Sequence, residues 1–149
     1  MSTYKYVRRC GKACCIKVSG KCHCGEISYE AELDPNGLAV CHCTDCQTLS
    51  GSAYRTIART VVDGFRLLKG KPKIYVKIGD SGARRQQTFC SDCGSPVYAT
   101  ADEDGPRVYN IRVGTIDQRS ELKPKRQVWF RSAQDWTQDL SNLDRVEKS

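Results

Sequence analysis

The sequence has no apolar run approaching the twenty or so residues that span a bilayer. Its basic N-terminus lacks an apolar stretch of signal-peptide length, and Cys14-Cys15-Ile16 is too short to serve. Both absences point to a cytoplasmic protein, in a compartment that keeps thiols reduced. Internal repeats of solenoid length and low-complexity tracts are also missing. Acidic residues are absent from the first twenty-one positions, which carry Lys5, Arg8, Arg9, Lys12, Lys17 and Lys21. The net charge of +7 therefore belongs to an N-terminal arm, and the body from Cys22 onward is close to neutral. A near-neutral body offers little to a phosphate backbone, so nucleic acid is not the expected partner.

What the sequence does have is cysteine: ten in 149 residues, against only 39% hydrophobic residues. A chain of this length suits one domain with a real core. The cysteine load suggests that bonds to sulfur supplement the packing, and spacing must decide between disulfides and metal. The clusters are Cys22-His23-Cys24-Gly25, Cys41-His42-Cys43-Thr44-Asp45-Cys46 and Cys90-Ser91-Asp92-Cys93-Gly94. C-x-C and C-x-x-C each bring two sulfurs within reach of one tetrahedral zinc, whereas a bridge within C-x-C would be strained. Gly25 and Gly94 are expected at positive φ, curling the backbone so that amide hydrogens face the sulfurs.

Seven cysteines do not fill two closed tetrahedra. The economical partition joins Cys22 and Cys24 with Cys90 and Cys93 into one closed, structural site. Cys41, Cys43 and Cys46 then form a group of three, and a zinc with three protein ligands keeps an open position, the mark of a catalytic site. Spacing also admits a fourth ligand for the middle group from another cysteine, His23 or His42. Each histidine sits between two cysteines where the chain turns, so its ring is expected to point away. Cys10, Cys14 and Cys15 have a poor zinc spacing and read as thiols without a role.

The periodicity is mostly that of strands. Ile27, Tyr29, Ala31 and Leu33 alternate with polar residues in a half-buried strand expected to end at Asp34-Pro35-Asn36-Gly37. Residues 65–68 and 74–78 flank Gly70-Lys71-Pro72, which reads as a hairpin turn. Further short strands are expected at 84–89, 97–100, 107–113 and 127–131. A short helix is expected over 44–50, stopped by Gly51. A second is expected over 132–146, where Trp136, Leu140 and Leu143 recur at helical spacing. Arg55, Arg59, Arg84 and Arg112 are candidates to meet carboxylates but read as solvated strand-edge charges.

The three cysteine clusters, with Gly20-Lys21 before the first, Ser50-Gly51 after the second and Ser95-Pro96 after the third, resemble the glutathione-dependent formaldehyde-activating enzyme family, also called the CENP-V/GFA family. Gly114-Thr115-Ile116-Asp117 and the tryptophan-bearing stretch from 129 to 136 are similar as well. The resemblance covers residues 20–136, leaving 1–19 as a basic extension and 137–149 as a tail. It implies a mainly β, Mss4-like fold of small β-sheets pinned by zinc, with short helical segments. It also implies two zinc ions, a structural one on Cys22, Cys24, Cys90 and Cys93 and a catalytic one on Cys41, Cys43 and Cys46. The implied activity is that of a carbon–sulfur lyase like S-(hydroxymethyl)glutathione synthase, with glutathione and formaldehyde as the thiol and the aldehyde. Many members carry arginine directly after the third cysteine of the middle cluster; here Gln47-Thr48 removes that candidate anchor for an anionic ligand. The rival reading is a non-catalytic, zinc-stabilised binding module. Reduction of methionine sulfoxide, another activity of similar folds, needs a free nucleophilic cysteine in the catalytic body, and no cysteine follows Cys93.

Overall fold

The computed structural model describes residues 7–10 and 13–149; residues 1–6 and 11–12 of the basic arm lie outside it. Among the described residues nine strands form one sheet: β1 (Val7–Cys10), β2 (Ala13–Lys21), β3 (Ser28–Cys41), β4 (Arg55–Lys69), β5 (Lys73–Ile78), β6 (Arg84–Phe89), β7 (Pro96–Ala101), β8 (Asn110–Arg112) and β9 (Arg126–Val128). Their order is β1-β2-β3-β4-β8-β7-β6-β5, with β9 beside β3. The pairings are antiparallel except β3 with β9, which is parallel. A short helix, α1 (Thr44–Ser50), follows β3 and ends at Gly51, whose φ of 62° is the left-handed cap the sequence predicts.

The alternation over 27–33 is borne out: Ile27, Tyr29, Ala31 and Leu33 are all buried. They pack with Ile16, Val18, Leu38, Val97 and Ile111. Beside them Phe65 lies 5.1 Å from the Tyr29 ring, 4.7 Å from Tyr98 and 5.0 Å from Tyr109. Such aromatic contacts add to burial because ring edges and faces carry opposite partial charge. Ile16 and Val18 belong to the stretch that sequence assigned to the N-terminal extension. The sheet takes that stretch in, because β2 pairs with β3 from Ile16↔Leu33 to Lys21↔Ser28.

Three expectations are corrected. Asp34-Pro35-Asn36-Gly37 does not end its strand. The Asp34 carboxylate accepts from the Asn36 amide at 2.9 Å, the register shifts there, and β3 resumes to Cys41. That is a bulge, in which turn chemistry bends a strand without reversing it. Gly70-Lys71-Pro72 is not a hairpin turn, because β4 is paired on β3 and β8 and β5 lies at the far edge on β6. Finally, 132–146 is not an α-helix. Single 3-10 turns occupy Phe130–Ser132 and Asp135–Gln138, and Trp136, Leu140 and Leu143 are exposed. An apolar stripe with nothing to cover it gives a helix little stability. The Asp139 carboxylate, accepting from the Ser141 amide at 2.8 Å, competes for the backbone.

Candidate metal centre

Two hairpin loops build the first sulfur group. Residues between β2 and β3 carry Cys22 and Cys24, and residues between β6 and β7 carry Cys90 and Cys93. The two loops close alike: Gly25 N–H donates to Cys22 O at 3.1 Å, and Gly94 N–H to Cys90 O at 2.9 Å. Gly25 and Gly94 sit at φ of 83° and 74°, a region costly for residues with a Cβ. The His23 amide donates to Ser95 Oγ at 3.0 Å, tying one loop to the other. All four sulfurs lie within 4.8 Å of one another, with Cys22 to Cys24 at 3.6 Å and Cys24 to Cys90 at 3.7 Å. Tetrahedral zinc with bonds of about 2.3 Å requires sulfurs about 3.8 Å apart, so the spacing fits the ion.

The second group gathers where β3 runs into α1. Cys41 ends the strand, Cys43 caps the helix and accepts from the Cys46 amide at 3.3 Å, and Cys46 lies in the first turn. Their sulfurs are again within 4.8 Å of one another. Neither histidine joins either group. The buried His42 ring turns away, with Nε2 2.7 Å from Gln127 Oε1 and its plane edge-on to Tyr54 and Phe130, while Nδ1 is buried without a partner. Cys15, read from sequence as a thiol without a role, is buried and disulfide-bonded; Cys14 is exposed.

The electrostatics of both groups are those of thiols crowded around one point. Hydrogen bonding to Cys46 is the main cause that draws the Cys41 thiol down to about 5, while the same contact and burial push Cys46 up. Hydrogen bonding to Ser95 draws Cys93 down to about 5. At Cys24 a backbone bond from Glu26 lowers the pKa, but burial and the three neighbouring sulfurs outweigh it and push the thiol up to about 12. Like charges this close cannot all ionise without a positive ion among them. Both clusters could hold a metal ion, and soft thiolate donors at tetrahedral spacing suit zinc.

Arg55 and Arg112, expected in solvent, are buried at 6% and 8% exposure. Arg55 lies opposite Cys41, and Arg112 opposite Ile57, so strand alternation puts all four side chains on one face of the sheet. The thiolate charges of the middle group favour the charged form of both arginines. Burial, seconded by the repulsion between them, still lowers Arg112 to about 9. Arg59 and Arg84 are exposed as expected, and Arg84 pairs with Asp102 at 2.9 Å. A sequence signal existed for Arg112, which is a lone charge between the apolar Ile111 and Val113. For Arg55, followed by the polar Thr56, none did.

A family model described as glutathione-dependent formaldehyde-activating enzyme matches residues 17–132. This chain belongs to that family. A Phaeosphaeria nodorum relative named "Putative glutathione-dependent formaldehyde-activating enzyme" is 28% identical over 87 residues, covering 57% of this chain and 45% of the relative. The matched part is thus about half the length of that relative. A crystal structure of a Rhodobacter sphaeroides protein is similar in fold, with a TM-score of 0.56 at 21% identity over 73% of this chain and 98% of that one. Within this family member, Gln47 has a structural task. Its Nε2 donates to His42 O at 2.8 Å and to Ser132 O at 2.9 Å, which ties the C-terminal segment to α1. Among the described residues no helix is long and apolar enough to cross a membrane.

Proposed function

We propose that the chain is a zinc-dependent carbon–sulfur lyase that makes and breaks the adduct of a thiol with a small aldehyde, like S-(hydroxymethyl)glutathione synthase acting on glutathione and formaldehyde. The observation that carries this reading is the unequal division of the sulfurs, four in one group and three in the other. Four protein ligands close a tetrahedron, and three leave room for an incoming one. On this reading Cys22, Cys24, Cys90 and Cys93 hold a structural zinc, and Cys41, Cys43 and Cys46 a catalytic one. Zinc, when bound at the second group, supplies a Lewis acid that favours a thiolate over a thiol.

The chain's own part is to fix three sulfurs where the end of β3 runs into α1. A free thiol of pKa near 8.5 is only about 3% thiolate at pH 7, so stabilising the anion gains roughly 30-fold in reactive form. Holding thiol and aldehyde together supplies the rest. In the forward direction the sulfur bonds to the aldehyde carbon, the carbonyl π pair moves to oxygen, and the proton lost from sulfur ends on that oxygen. The reverse breaks the carbon–sulfur bond and returns the proton to sulfur.

Zinc per chain and exchange between glutathione plus formaldehyde and their adduct are measured for the native protein and Cys43→Ser. Two zinc ions, with the rate lost in the variant, support the lyase. A fully metallated native protein that leaves the exchange at its spontaneous rate would falsify it for this pair and favour the binding module.

A further inference from the structure

Beside the three-cysteine group lies a cavity of about 420 Å³ whose lining joins α1, β4, β5, β6 and β8. Three cations face it, Arg55, Arg112 and Lys73, and no acidic side chain does. Its apolar wall includes Leu49, Ile74 and Phe89. Both arginines are more than nine-tenths buried, and each keeps a buried nitrogen without a hydrogen-bond partner, Nη2 of Arg55 and Nε of Arg112. Arg112 spends Nη2 on Gln87 Oε1 at 2.7 Å, a neutral acceptor that fixes the guanidinium without cancelling its charge. Among the described residues neither arginine has a carboxylate within ion-pairing distance. Two like charges buried side by side, with donors unspent, are costly unless an anion joins them.

We infer that Arg55 and Arg112 seat a carboxylate of the thiol substrate, so that the three-cysteine centre takes acidic thiols in preference to neutral ones. The inference rests on the proposed function for the sulfur end of the ligand, and on the cavity alone for its carboxylate end. Guanidinium suits the task because its planar donors match the two oxygens of a carboxylate. The thiolates of the middle group repel that carboxylate, so the cavity beside the sulfurs, where the arginines dominate, is the place for it.

The test is calorimetric binding to the zinc-loaded full chain, with three probes: glutathione, S-methylglutathione and 2-mercaptoethanol. S-Methylglutathione keeps the carboxylates without a free thiol; 2-mercaptoethanol has a thiol without a carboxylate. Arg55→Gln, Arg112→Gln and Lys73→Glu are compared, with zinc content and melting temperature recorded for each. Lys73 is exposed, so its variant reads the cavity should an arginine variant fail to fold. Loss of one charge-assisted contact is expected to weaken glutathione and S-methylglutathione by about 10- to 100-fold, leaving 2-mercaptoethanol within about 3-fold. Equal weakening of all three probes, or no binding of S-methylglutathione to the native protein, overturns the inference. Arginine-dependent binding of both glutathione forms without any turnover supports it and overturns the lyase reading instead.

Discussion

Cys24 Sγ and Cys90 Sγ stand 3.7 Å apart although 66 positions separate them in the chain. Each belongs to a hairpin loop, one joining β2 to β3 and the other β6 to β7. These hairpins lie in different halves of the sheet, so a metal ion among their sulfurs would act as a cross-link that closes a long loop.

The two sulfur groups are therefore expected to respond differently to substitution. Cys22→Ser opens the cross-link and, by the entropy of a loop of that length, costs about 3–5 kcal/mol. For a chain this size that lowers the melting temperature by roughly 10 °C. Cys43→Ser removes a ligand from a group confined to consecutive elements, and stability should fall much less. Each variant should lose about one equivalent of zinc relative to the native protein. Calorimetric melting with metal analysis checks both; equal destabilisation by the two would remove the division into structural and catalytic sites.

Metal uptake should release protons, with a sign fixed by the thiol environments. Without metal, Cys41 and Cys93 are drawn down to about 5 and are thiolates at pH 7. Cys24, pushed up to about 12, and Cys46, also pushed up, are protonated there and must lose their protons to bind. At least one proton per ion should appear at pH 7. Below about pH 5 the affinity should fall more steeply, as Cys41 and Cys93 become protonated too. Titration calorimetry in two buffers of different ionisation enthalpy measures the number, and zero release would contradict these assignments.

The sequence disclosed the parts of this protein that depend on near neighbours. The strand through Tyr29 and Leu33, the helix ended by Gly51 and the positive φ of Gly25 and Gly94 all follow from a few adjacent residues. The grouping of the cysteines was legible too, because C-x-C and C-x-x-C confine two sulfurs each. Pairing was not. Gly70-Lys71-Pro72 looks like any hairpin turn, but residues 65–67 pair with β3, more than thirty positions back, and β5 pairs with β6 at the far edge of the sheet. The burial of Arg55 was hidden for the same reason, since the cavity it lines is completed by residues of β5, β6 and β8, which lie far from it in the chain.

Gly20 lies where β2 meets the turn after β8, and the packing there is close. A Cβ at this position would run into the Tyr29 ring and its hydroxyl, and would lie 2.6 Å from the Thr115 carbonyl. The same hydroxyl is held 2.7 Å from Thr115 Oγ1, so it cannot step aside without losing a hydrogen bond. Gly20→Ala should cost about 1–3 kcal/mol through this overpacking. Thermal melting checks it, and near-UV circular dichroism should report a displaced Tyr29. An unchanged melting temperature would mean that β2 is held less tightly than its contacts show.

Gln47 joins three segments through one side chain. Its Nε2 donates to His42 O and Ser132 O, and its Oε1 accepts from Gln134 Nε2 at 3.2 Å. The donor bonds matter most, because the carbonyls they satisfy have a fixed backbone position, whereas Gln134 is exposed and can turn to water. Gln47→Leu should therefore loosen the segment after β9 by about 1–3 kcal/mol, with little change in global melting. Amide exchange over 129–138 should quicken by about tenfold or more, and trypsin should cut sooner after Arg131. Gln47→Glu keeps the acceptor but has no N–H to give, so it should loosen the segment as much as leucine does. A glutamate variant with native exchange rates would mean that the tie runs through Gln134, and that α1 does not hold the C-terminal segment by its donors.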